Sequence, residues 1–327
     1  MSELIDDFGR LHSYLRVSVT DRCNLRCSYC MPHDGICWKE HSEILTYEEI
    51  RRIAKLFVEL GVTKIRLTGG EPTIRKNIED LIYRLSLLPG LQTLAMTTNG
   101  VILKDKALVY KECGLNAINI SLDTLKKERF VQIAKRDNFK QVMEGINSAI
   151  SARFSQVKLN VVVIKGINDD EILNFVDFIK DKPINVRFIE LMPFKGNNWD
   201  FSCFLPYATI KERIEQKHKL IPIKRDLSNV AKDFCIRGFL GTVSFITSMS
   251  ESFCGSCNRL RLTADGCFKT CLFSSPEVDL KKAMRTGASD KELISMMILA
   301  LKRKPAGHNP PKDLLNEENR RMIEIGG

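Results

Sequence analysis

The run "CNLRCSYC", residues 23–30, sets Cys23, Cys27 and Cys30 at C-x3-C-x2-C, with no fourth cysteine inside it. A structural zinc takes four ligands, and His33 is available to complete such a set. Three thiolates also suit a different group: they hold three irons of a [4Fe–4S] cluster and leave the fourth iron open to a small molecule. A second run, "CGSCNRLRLTADGCFKTC", carries Cys254, Cys257, Cys267 and Cys271. All four together read as a zinc site, C-x2-C-x9-C-x3-C. Without Cys267 the spacing becomes C-x2-C-x13-C, a second three-thiolate set. Arg259 and Arg261 lie two apart on an expected strand and so face one ligand, and guanidinium pairs suit phosphate oxygens. "TGGEP" (68–72) adds glycines that let backbone approach a ligand closely, with Glu71 available to an ammonium.

The bulk properties narrow the partners. The formal net charge is +10, so an anionic partner is expected. Lys and Arg are spread along the chain, and six Tyr and two Trp leave little for base stacking, which favours a small polyphosphate over nucleic acid. No stretch of about 20 apolar residues is present, so no membrane partner is expected. "MSELIDDFGR" lacks the apolar core of a signal peptide, and the expectation is a cytoplasmic protein whose thiols stay reduced. Cys37, Cys113, Cys203 and Cys235 stand apart and read as small buried hydrophobes.

The elements that must position these groups alternate strand and helix. Strands are expected at 15–20, 64–68, 93–98, 117–122, 157–164 and 185–190. Helices are expected from Thr46, whose T-x-x-E pattern with Glu49 is a capping box, and over 77–88, 103–113, 138–151 and 170–180. Six βα units imply a parallel sheet with right-handed crossovers. Strands buried on both faces should be uniformly apolar. Instead one face carries Arg16, Ser18 and Thr20, then Arg66 and Thr68, Thr97, Asn119 and Ser121, Lys158 and Asn160, and Glu190 and Met192. Such a face would be costly in a dry core and fits the inside of an open, partial (β/α)6 TIM-type barrel around a charged ligand. The barrel core is expected over 1–193, followed over 194–327 by an α+β extension carrying the second cysteine set.

The first cysteine motif, with Tyr29 before its third cysteine, resembles that of the radical S-adenosylmethionine (SAM) superfamily, and "TGGEP" resembles its SAM-binding segment. The whole of residues 12–327 is similar to the GTP 3′,8-cyclases of molybdenum cofactor biosynthesis. "LRVSVTDRCNLRCSYCMP", "KIRLTGGEP", "MTTNG", "INISLDTL", "GINDDEI", "VRFIELMP", "CNRLRLTADG" and the terminal "IGG" occur in that family's order. The resemblance implies two [4Fe–4S] clusters, on Cys23, Cys27 and Cys30 and on Cys254, Cys257 and Cys271. It implies SAM contacts at Tyr29, Gly70, Ser121 and Met192, and GTP contacts at Arg16, Arg66, Thr97, Lys158, Arg259, Leu260 and Arg261. It also implies a catalytic part for Arg66, Arg259, Arg261 and the tail pair Gly326 and Gly327. The implied partners are GTP, an external one-electron donor, the cyclic pyranopterin monophosphate synthase that takes the product, and a second copy in a homodimer. Cys267 stands where the family more often has Lys, and leaves Cys267 and Cys271 as competing ligands. Two other readings stay open from sequence: a radical SAM enzyme modifying a peptide, with an auxiliary cluster, and a zinc protein binding nucleic acid.

Overall fold

The protein is represented by a computed structural model, which describes residues 3–31, 38–197, 199–224 and 230–326. His33, Cys37 and Gly327 lie outside the described residues. The expected βα alternation is present: β1 (Tyr14–Ser18), α1 (Tyr47–Glu59), β2 (Lys64–Thr68), α2 (Ile78–Ser86), β3 (Thr93–Thr98), α3 (Leu103–Glu112) and β4 (Ala117–Ser121). It continues with α4 (Lys127–Ala134), α5 (Phe139–Ser151), β5 (Gln156–Val163), α6 (Ile172–Phe178) and β6 (Ile184–Glu190). The C-terminal part supplies α7 (Tyr207–Glu215), β7 (Ile221–Pro222), β8 (Lys232–Cys235), β9 (Thr242–Ile246), β10 (Arg259–Leu262), β11 (Cys267–Lys269) and β12 (Val278–Asp279). Four helices follow: α8 (Leu280–Arg285), α9 (Asp290–Lys302), α10 (Pro311–Leu314) and α11 (Met322–Ile325).

α1 shows why these segments fold as they do. Thr46 accepts from the Glu49 amide and the Glu49 side chain answers, closing the expected capping box. Ile50, Ile53, Ala54 and Phe57 then recur at helical spacing and bury one face. α4 was not expected from sequence: it is only eight residues long, and its N-cap Lys126 makes no side-chain bond, so no capping side chain marks its start.

The strands form one sheet in the order β12-β11-β10-β1-β2-β3-β4-β5-β6-β9-β8-β7. From β10 to β9 all neighbours are parallel, so two strands of the C-terminal part, β10 beside β1 and β9 beside β6, extend the six expected ones to eight. Apolar side chains of the outer face meet the helices in one continuous core. The opposite face is the polar one. On β6 its members are Asn185, Arg187 and Ile189, the half-buried positions of a strict alternation. Glu190 therefore has the other parity and does not point inward as expected. Its buried carboxylate accepts from the amides of Tyr207, Met249 and Ser250 and from the Ser250 hydroxyl, tying β6 to α7 and to the loop after β9.

Candidate active site

At the C-terminal end of β1 the chain enters the loop that carries Cys23, Cys27 and Cys30. This loop is held from two sides. The Gly70 amide donates to Thr20 O (2.7 Å) and the Glu71 amide to Arg22 O (2.8 Å). A Cβ on Gly70 would lie 2.2 Å from Arg22 O and 2.7 Å from Asp21 O, so only glycine allows this approach. On the other side the amides of Arg26 and Ser28 donate to Ala134 O and Ile133 O at the end of α4. Glu71 is engaged by the protein itself. Its buried carboxylate accepts from the Thr73 amide and hydroxyl, the Thr98 hydroxyl and the Asn99 amide. Tyr29 donates its phenol to Asp123 Oδ2 (2.7 Å), and Asp123 Oδ1 accepts from the Val162 amide.

Burial pushes Cys23 up to about 11, with Glu71 adding to it, and Cys30 up to about 12, with Cys23 and Asp123 adding. Cys27 is raised as well by burial, Asp123 and the other two thiols. These three thiols thus feel one another across a small space, and each needs a cation before it will ionise there. Among the described residues no group of His, Cys, Asp and Glu is arranged to hold a single ion. A cluster asks something different, since each thiolate takes its own iron. Three half-buried, mutually coupled soft donors fit it.

Beyond this loop the inner face of the sheet lines a cavity of about 490 Å³. It collects Cys23, Cys27, Cys30, Tyr29, Gly70, Ser121 and Met192 at one end, and Arg16, Arg66, Thr97, Lys158, Arg259 and Arg261 along the floor. Strand register explains the floor. Arg16 of β1 pairs laterally with Arg66 of β2 and Arg261 of β10, while one level below Tyr14 pairs with Lys64 and Arg259. Neighbouring strands lie about 4.8 Å apart, so these cations are crowded against a like-charge penalty. Lys64 and Arg187, which sequence reasoning did not assign to the site, line it too. The signal for Arg187 was the β6 alternation, had Glu190 not been taken as the inward residue.

The crowding shows in the electrostatics. Burial lowers Lys158 to about 8, helped by Arg187, Lys64 and Arg66. Burial also presses Arg16, Arg187 and Arg261 downward, although guanidinium stays charged at any physiological pH. Burial would raise the Tyr14 phenol, but Arg66, Arg16, Arg259 and Lys64 hold it well below the usual range. Its oxygen accepts from Arg66 Nε (2.6 Å) and Arg16 Nη1 (3.3 Å). Arg66 is further fixed by Met96 O (2.9 Å). Asn119 Oδ1, Ser248 Oγ, Asn258 Oδ1 and Arg259 Nε are buried at the cavity with no partner among the described residues. A polyanion bearing both donors and acceptors would satisfy them.

At the far end the chain neighbours of the second cysteine set, Phe253, Asn258 and Leu272, line the same cavity. Lys304 links two of the thiols: its Nζ is 3.7 Å from Cys257 Sγ, and its charge acts on Cys271. Burial would raise the Cys257 thiol, but Lys304, Arg259 and Arg10 bring it below its ordinary value. Gly307 packs on Cys254, where a Cβ would come 3.9 Å from its Sγ. Cys267 has other company, on β11 among Asp265, Arg320, Glu277 and Asp279, and burial pushes it up to about 12. Lys304 thus bonds Cys257 and feels the Cys271 thiol, whereas Cys267 sits among the charged groups around β11. A thiol hydrogen-bonded to a buried ammonium, as Cys257 is, fits a ligand of an anionic iron–sulfur cluster.

The tail reaches the floor. Arg261 Nη1 donates to Gly326 O (2.8 Å), and a Cβ on Gly326 would meet Thr68 Oγ1 at 2.7 Å and Ser18 Cβ at 2.9 Å. With φ of 85° as well, that position takes only glycine. Leu260, between the two arginines, is fully buried in the core and, unlike them, does not line the cavity.

Comparison with known proteins adds relatives to this geometry. The profile "Radical SAM superfamily" matches residues 17–179, and "Molybdenum Cofactor Synthesis C" matches 184–310. The chain is 51% identical over 325 residues to "GTP 3',8-cyclase, mitochondrial" of Arabidopsis thaliana, covering 99% of this chain and 83% of that one. It is 45% identical over 323 residues to "GTP 3',8-cyclase" of Moorella thermoacetica, covering 98% and 99%. "Molybdenum cofactor biosynthesis protein 1" of Mus musculus is 49% identical over 324 residues, and there the chain spans 51% of the relative's length. Among solved structures, SuiB of Streptococcus suis superposes with a TM-score of 0.60 at 14% identity, over 84% of this chain and 65% of that one, a likeness of fold.

Proposed function

This chain belongs to the GTP 3′,8-cyclase family of radical SAM enzymes, and we infer from that membership and from the cavity that it cyclises GTP. The product would be (8S)-3′,8-cyclo-7,8-dihydroguanosine 5′-triphosphate, in the first step of molybdenum cofactor biosynthesis. One observation carries the reading: a single cavity holds three thiols at one end and seven cationic side chains along its floor, and chain neighbours of the second thiol set, Phe253, Asn258 and Leu272, line it too.

Cys23, Cys27 and Cys30 would hold a [4Fe–4S] cluster with SAM beside Tyr29, Gly70, Ser121 and Met192. Cys254, Cys257 and Cys271 would hold a second one. When bound, these groups supply one-electron cleavage of SAM and a hydrogen-abstracting radical, a chemistry that is the cofactors' own. The chain does the positioning. Arg16, Arg66, Lys158, Arg259 and Arg261, with Thr97 and the Leu260 backbone, grip the triphosphate by charge-assisted hydrogen bonds. Fixing the substrate between two thiol sites converts binding into orientation, worth up to about 7–11 kcal/mol of barrier in well-oriented systems. Gly326, with Gly327 beyond it, brings side-chain-free backbone against the floor and excludes water there.

The division into a core over 1–193 and an extension over 194–327 belongs to the same reading. So do an external electron donor, transfer of product to the cyclic pyranopterin monophosphate synthase, and a homodimer. A cytoplasmic location suits it, since a reducing compartment keeps ligand thiols available. Among the described residues no helix is long and apolar enough to cross a membrane. The test is anaerobic: reconstitute the chain with iron and sulfide, add SAM and dithionite, and measure 5′-deoxyadenosine with GTP, with ATP and with neither. The expected result is stimulation by GTP alone with GTP consumed. SAM cleavage indifferent to GTP would redirect the reading to a peptide substrate.

A further inference from the structure

Lys304 follows α9 and is 4% exposed. A buried ammonium is costly unless an opposite charge is paired with it. Among the described residues no carboxylate lies within ion-pair distance of it. The nearby Asp6 is taken by Arg10 at 2.6 Å. Arg10 in turn donates to Cys254 O, Pro305 O and Ala306 O, so a second cation braces the same wall. Lys304 Nζ itself has two partners, Arg259 O at 2.9 Å and Cys257 Sγ at 3.7 Å. The first thiol set has the opposite surroundings, with Glu71 and Asp123 acting on its sulfurs.

We propose that Lys304 is a positioning residue that sets the reduction potential of the second cluster, by placing a hydrogen bond and a positive charge on the ligating sulfur of Cys257. The proposal rests on reading Cys254, Cys257 and Cys271 as cluster ligands. The direction follows from charge. Reduction adds one electron to an anionic group, an adjacent ammonium stabilises the reduced form more than the oxidised one, and the potential rises. The buried ammonium gains in that cluster a close counter-charge that no carboxylate among the described residues provides within ion-pair distance.

The experiment starts from the full chain with Cys23, Cys27 and Cys30 all changed to Ala, so that only the second site can hold a cluster. In that background Lys304, Lys304→Met and Lys304→Arg are compared by redox titration, following the paramagnetic signal of the reduced cluster, with iron counted per chain. The expected result is a clearly more negative midpoint for Lys304→Met at unchanged iron content, with Lys304→Arg close to the parent. Should Lys304→Met not retain iron, Lys304→Gln, which drops the charge and keeps a donor, makes the same comparison. Equal midpoints for parent and neutral variant overturn the proposal. So does an Arg variant displaced as far as the Met one, which would mark a packing role only. A parent without iron overturns the ligand reading itself, and the iron count tells that failure from the other two.

Discussion

Lys158 shows how a single side chain inherits its chemistry from its neighbours. Burial, Arg187, Lys64 and Arg66 bring its ammonium to about 8, with Asp233 as the opposing charge. A bound triphosphate would favour the charged form again, so binding near that pH takes up a proton. GTP affinity is therefore expected to fall as pH rises through about 8, approaching tenfold per pH unit for one proton. Lys158→Arg, which stays charged, should flatten the curve. Titration calorimetry between pH 7 and 9 checks this, and a wild-type affinity that does not change over that range would contradict it. The sign for stability is opposite. The folded value lies below the lysine reference of 10.5, so this group's contribution to the empty fold rises with pH between about 8 and 10.5.

At the scale of elements, the C-terminal segment depends on a compact ion network. Arg320 joins Asp265 (2.8 Å) and Glu277 (2.8 Å), Lys269 joins Glu277 (3.0 Å), and Lys39 joins Asp265 (3.1 Å). Six residues after Arg320, Gly326 meets Arg261. Lys39 stands shortly after the first cysteine loop, and its amide also donates to Asp21 Oδ2 (2.8 Å). The network thus ties the tail to the segment flanking the first thiol site. Arg320→Ala should weaken tail docking by about 1–3 kcal/mol, less than a fully buried pair because Arg320 is partly exposed. The expected outcome is the one expected for deletion of Gly326 and Gly327: iron retained, fold intact, GTP-dependent turnover down at least tenfold. Full turnover in both variants would contradict an active-site role for the tail. The missed helix α4 belongs to this scale as well. It lacks the start signals that α1 displays, and yet two of its final carbonyls hold the cysteine loop.

For the whole molecule, what was legible in the sequence was what repeats locally. The six core strands fall within a residue or two of their expected positions because apolar alternation and flanking helix patterns mark them. Most of the polar inner face was legible for the same reason, from Arg16 to Asn160. Long-range pairing was not. Nothing local in "RLRL" says that it lies beside a strand some 245 residues earlier, yet that pairing brings Arg261 to Arg16. Spacing could not separate Cys271 from Cys267 either; what differs is their surroundings, with Lys304 arriving from a helix end near Cys257 and carboxylates gathered around Cys267. The parity of Glu190 was lost because its carboxylate serves backbone amides of α7 and the loop after β9, a purpose invisible in one dimension. The central claim is the proposed cyclisation at C3′, which requires the GTP ribose to lie toward the first thiol site. The most direct test uses GTP deuterated at C3′, turned over anaerobically, with deuterium measured in the 5′-deoxyadenosine formed. The account predicts one deuterium transferred in the first turnover. 5′-Deoxyadenosine free of deuterium, with the label still in the nucleotide, would contradict it.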